Sequence, residues 1–151
     1  MGLKLAILKE TAKNENRVAA TPDTVKKYVA LGLKVAVQKG AGANASLSDQ
    51  AYKDAGASIS ASAATAVKDA DVVLCVQSPE TDTLSAMKKD AVLIGALNPY
   101  ANEAKLKEYN AAKLAAIAME FMPRITRAQN MDILSSQSNL AGYRAVIDAA
   151  H

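Results

Sequence analysis

The chain alternates short apolar runs with single helical patterns, and that alternation restricts the fold more than any other feature. Runs at residues 3–8, 34–38, 71–76, 91–96 and, shorter and alanine-rich, 114–119 have the length and composition of buried strands. Helical patterns fill the intervals at 21–31, 48–55, 62–68, 81–89 and 102–112. Strands this far apart cannot be joined as hairpins. One helix between each pair implies right-handed crossovers and parallel neighbours covered on both faces. The predicted class is therefore α/β, a doubly wound, mostly parallel sheet with helices on both faces. The alanine-rich piece 57–66 reads as a crossing from strand to helix made of small residues.

Local signals sharpen this pattern. Thr21-Pro22-Asp23 opens the first helix with a capping hydroxyl, a proline whose missing N–H costs nothing there, and an acid facing the positive helix end. Gly32 closes it. Residues 135–150 break the alternation, since they read as a long helix with no strand after it. Leu140, Tyr143, Val146 and Ile147 share one face of it, while Gly142 weakens it by about 1 kcal/mol relative to alanine. The expected division is an α/β domain over 1–134 and a connector helix over 135–151, with an apolar stripe that docks on its own core or awaits a partner.

With 151 residues, half of them hydrophobic, the chain can bury one core. Its formal charge of +3 comes from lysines scattered among acids, without a basic run or stacking aromatics, which disfavours nucleic acid as a partner. The single cysteine, Cys75, lies in an apolar run and reads as a buried strand thiol, in keeping with a reducing compartment. No stretch has the apolar length of a membrane span, and the first ten residues become charged too early for a signal peptide. A cytoplasmic location is expected, with any membrane association made through partners.

Four places offer polar chemistry. The loop containing Pro123, Arg124, Arg127, Gln129 and Asp132 sets two guanidiniums, an amide and a carboxylate between apolar segments, where packing asks for none of them. Such a set can hydrogen-bond a planar polar ligand from several sides, although a solvated basic turn would look the same. Arg17, between the first strand and first helix, lies at the sheet edge where ligands bind. It either holds an anion or, as ion pairs are commoner than ligand sites, clamps Glu10 or Glu15. Gly40-Ala41-Gly42-Ala43-Asn44-Ala45 formally fits a dinucleotide fingerprint, but the following helix starts more convincingly at Ser48, so a tight turn is favoured. Gln77 and Asn98 could present amides at the same edge, with Ser78 as a helix cap, and His151 reads as a frayed terminal residue. The sequence contains no Ser/His/Asp set, metal cluster or P-loop, so no catalytic or metal-ligating residue is assigned.

Lys9-Glu10, the run from Glu15 to Pro22, Lys39-Gly40-Ala41-Gly42 and, above all, the block from Met122 to Val146 resemble the α subunit of the proton-translocating NAD(P) transhydrogenases. The resemblance covers the whole chain and implies the leading portion of the NAD(H)-binding component. It further implies that Arg124, Gln129 and Asp132 surround the nicotinamide and that Ser135 adds a cofactor contact. NADP(H) would be bound by a partner component, and proton movement would belong to a membrane component. This chain would be homodimeric in the full assembly and peripheral to the inner membrane through its partner subunits. The Rossmann domain that grips the pyrophosphate would follow this stretch, so the chain alone should be inactive and bind NAD poorly.

The same N-terminal signature resembles alanine dehydrogenase, the rival reading, beside that of a non-catalytic α/β interaction module. Alanine dehydrogenases use a lysine and a histidine where this chain has Gln77 and Asn98, which leaves amino-acid dehydrogenase chemistry without its acid–base groups. Hydride transfer between two nicotinamides needs no such acid, because the protein's task is to orient the rings.

Overall fold

The computed structural model describes residues 2–150; His151 lies outside them. Six strands alternate with helices: β1 (Lys4–Ile7), α1 (Pro22–Ala30), β2 (Lys34–Gln38), α2 (Asp49–Asp54), β3 (Ser58–Ser60), α3 (Ala63–Val67), β4 (Val72–Gln77), α4 (Thr81–Ser85), β5 (Val92–Ala96), α5 (Glu103–Ala111), β6 (Ala115–Ala118) and α6 (Ile133–Ala149). The strands form one sheet in the order β3-β2-β1-β4-β5-β6, and every pairing is parallel. The order reverses between β1 and β4. In such a sheet the crevice outside the carboxyl ends of those two strands is the place for a ligand.

Alternation along the strands builds two apolar layers. Leu5, Ile7, Val35 and Val37 pack with Val25 of α1 and Tyr52 of α2. Ala6, Leu8, Val73, Cys75 and Leu93 pack with Val67, Leu84 and Tyr109 from α3, α4 and α5. Right-handed crossovers explain the division: steps from β1 to β3 put helices on one face, and steps from β3 to β6 put them on the other. The face carrying α1 and α2 is less well covered beyond β1, where Val72, Leu74, Val76, Val92, Ile94 and Ala96 are only half-buried and Ile117 is exposed.

The start of α1 forms as its sequence predicts, with Thr21 Oγ1 accepting from the Thr24 N–H at 3.3 Å and Gly32 at φ 85° beyond the helix. The stretch 57–66 corrects the sequence reading, because it contains the edge strand β3, pairing Ala36, Val37 and Gln38 with Ser58, Ile59 and Ser60. One isoleucine between two serines is too short a run to show a strand period. The helix expected over 81–89 stops at Ser85. Met87 is buried there, and the chain turns through Asp90 at φ 65° to enter β5.

Candidate nicotinamide-side loop

Side chains stitch together the carboxyl edge of the sheet. Gln38, closing β2, accepts the Lys9 N–H at 3.0 Å. Glu10, just past β1, accepts the N–H groups of Val76 and Gln77 at 2.6 and 3.0 Å, where β4 shifts register against β5. Glu120, just past β6, does the same for Leu97 and Asn98 beyond β5. Backbone amides at strand ends have lost their ladder partners, and these acceptors satisfy them. Burial pushes the Glu10 carboxyl up, against the two backbone hydrogen bonds that favour its charged form.

Arg17 is held as the sequence favours, by Glu15. Its Nε and Nη2 donate to the two carboxylate oxygens at 2.7 and 2.6 Å. The side chain of Glu15 is 9% exposed, and the guanidinium holds its carboxyl down at about 2. A third donor, Nη1, reaches Gln137 of α6 at 3.0 Å. Arg17, Val18, Ala19, Tyr28, Leu74, Val76, Ile94, Ala96, Met119, Ile133 and Gln137 line an open groove of about 330 Å³ over the thinly covered sheet face.

The segment joining β6 to α6 runs through two short 3-10 turns, Met119–Phe121 and Thr126–Met131. Arg124 and Gln129 are exposed on it, and Asp132 is buried at its end. Asp132 caps α6. One of its oxygens accepts the N–H groups of Leu134 and Ser135 at 2.9 and 3.1 Å, and the other accepts the Ser135 hydroxyl at 2.5 Å. Those bonds, with Arg124 nearby, hold its carboxyl below the usual range. With about four acceptor sites on a carboxylate, three are filled. The helix thus starts at Ile133, two residues before the sequence pattern places it, and an acid immediately before an apolar run was the available signal.

The remaining polar candidates have structural partners. Gln77 donates its amide to Glu15 at 3.2 Å. Ser78 does not cap α4, since its hydroxyl accepts from Tyr109 at 2.6 Å. Asn98 adopts a left-handed φ of 46°. Cys75 is buried, which pushes its thiol up to about 12. Gly42 sits in a tight turn, where a Cβ would come within 2.7 Å of Leu47, and α2 starts only after Ser48. The stretch 8–21 after β1, where this strand order places a phosphate loop, contains no glycine. Sequence reasoning missed Glu120 and Gln137, and it offered Glu10 only as a clamp for Arg17 rather than as an acceptor for backbone amides; the partners of all three lie 22 to 120 residues away.

A family model described as alanine dehydrogenase/PNT, N-terminal domain, matches residues 6–141. The chain belongs to that family. Within it, the chain is 51% identical to the first portion of the divided NAD(P) transhydrogenase subunit alpha of Rhodospirillum rubrum, over 99% of its own length and 40% of that protein. The crystal structure of a transhydrogenase from Sinorhizobium meliloti superposes with a TM-score of 0.92 at 48% identity, covering 97% of this chain and 44% of that one. An L-alanine dehydrogenase superposes with a TM-score of 0.74 at 30% identity, over 78% of this chain and 32% of that one. The chain therefore spans less than half the length of these family members.

Proposed function

We propose that this chain is the leading portion of the NAD(H)-binding component of a proton-translocating NAD(P) transhydrogenase, in which hydride passes between NAD(H) and NADP(H). Support comes chiefly from the likeness to the Rhodospirillum rubrum transhydrogenase subunit along 99% of the chain. In this reading residues 124–135 form the nicotinamide side of the site. The Arg124 guanidinium and Gln129 amide offer donors, and Gln129 also an acceptor, for the ring carboxamide. Asp132 fixes Ser135 and the start of α6 beside them. Bound NAD(H) supplies the hydride chemistry, while these side chains orient the ring.

Nothing in 8–21 or 40–45 is built to hold a pyrophosphate, so the nucleotide's other end needs a second domain. That domain follows the connector helix, residues 135–151 by the sequence division, and the α/β unit 1–134 precedes it. NADP(H) is held by a partner component and a further component carries the proton path. No helix among the described residues is long and apolar enough to cross a membrane, so membrane association runs through those partners. The exposed α6 stripe lies against that second domain in the whole component, and the assembly is a homodimer. In the isolated chain the stripe is free to pair with a neighbouring copy.

The alanine dehydrogenase reading fares worse, because Gln77 and Asn98 are amides that neither give nor take a proton near neutral pH. The discriminating assay is NADH-dependent reduction of an NADP analogue, run with the chain alone and with the remaining components. Turnover is expected only in the assembly. Turnover by the chain alone, or oxidation of alanine by the assembly, would refute the proposal.

A further inference from the structure

The polar side chains around the groove form one continuous chain of hydrogen bonds. Gln77, at the end of β4, donates to Glu15 at 3.2 Å. Glu15 receives two guanidinium N–H groups of Arg17, and its Oε1 also accepts the Arg17 backbone N–H at 3.1 Å. Arg17 Nη1 then donates to Gln137 Oε1 across 120 residues of sequence. Among the described residues this is the one side-chain hydrogen bond between α6 and the sheet domain. Each partner uses a separate N–H, so the bond to Gln137 forms without loosening the clamp on Glu15. The clamp presents the fork ready-made, with little freedom left to lose. No residue of α6 is buried, so close apolar packing does not fix the helix direction.

We propose that Arg17, held by Glu15, is a positioning residue that fixes through Gln137 the direction in which α6 leaves the sheet. It thereby sets the Asp132–Ser135 cap and its approach to Arg124. The consequence for the cofactor rests on reading residues 124–135 as the nicotinamide side, whereas the strut itself is a property of this chain.

The test is NMR amide exchange over residues 134–140 in the 151-residue chain, comparing wild type with Arg17→Met, Gln137→Met, their double variant and Gln137→Glu. Each single methionine variant should speed exchange by about ten-fold, as the loss of a hydrogen bond to a charged group does. The double variant should go no further than either single. Gln137→Glu should keep wild-type protection, since a carboxylate accepts the same N–H. Among the described residues Gln137 makes no other long-range hydrogen bond, so its methionine variant leaves the clamp intact should Arg17→Met unsettle the loop. Wild-type exchange in Gln137→Met, additive single effects, or failure of Gln137→Glu to protect would each overturn the strut. If the strut holds while NADH leaves 124–135 unshifted in the full component, the nicotinamide reading fails and the strut stands.

Discussion

The sheet around β1, β2 and β4 and the end of the chain around β6 and α6 are held in different ways. In the first, Ile7, Val25, Val37 and Val73 are fully buried, helices lie on both faces, and Gln38 and Glu10 tie neighbouring strand ends together. In the second, Ala115, Ala116 and Ile117 are exposed on an edge strand, and Leu140, Tyr143 and Val146 are 61%, 70% and 71% exposed along α6. The apolar residues of this chain thus divide into those that meet one another and those left exposed on β6 and along α6. Under the proposed function, exposure of this kind is an interaction face rather than a poor core.

The contrast is broken hardest by a cut in the packed half. Leu93→Ala, at a fully buried site in the β5 layer, should cost about 2–5 kcal/mol in urea unfolding, through lost transfer energy and the cavity left behind. Tyr52→Phe should cost about 1–2 kcal/mol, because it strands the buried Ala20 carbonyl that the Tyr52 hydroxyl reaches at 2.8 Å. A smaller and pH-dependent effect belongs to Glu15. Its carboxyl is lowered from an ordinary 4.5 to about 2, so the clamp's stabilisation is complete above pH 4.5 and fades as pH falls towards 2. Glu15→Gln should therefore lose at most about 1 kcal/mol at pH 6, given the half-exposed Arg17. Its unfolding curve should merge with wild type near pH 2.

The double variant Leu140→Glu, Ile147→Glu should leave folding stability within about 0.5 kcal/mol of wild type. Sedimentation should show that it abolishes self-association of the chain. A large loss of stability instead would mean that α6 belongs to the core.

Much of the fold was legible in the sequence because buried parallel strands announce themselves as apolar runs, as β4 does in V-V-L-C-V. β3 was not, since an edge strand with a single isoleucine carries no period. The polar loop before α6 was visible for the opposite reason, as guanidiniums, an amide and an acid interrupting apolar sequence. The roles of those groups were less visible. Asp132 reads as a ligand contact in the sequence, and its three capping bonds add a role that only the structure reveals. Glu10 and Glu120 act on backbone amides far along the chain, which no local pattern can reveal. Arg17 fell between these cases: Glu15 lay two residues away and was foreseeable, whereas Gln137 became a neighbour only through the path of α6.

The most direct test of the proposed nicotinamide side is NADH titration of the chain joined to its remaining NAD(H)-binding component, followed by amide NMR. Resonances of residues 124–135 should shift saturably in wild type, and Arg124→Ala should weaken binding about ten-fold, as loss of a charge-assisted hydrogen bond does. Saturable NADH binding that leaves 124–135 unmoved and is indifferent to Arg124→Ala would contradict the account.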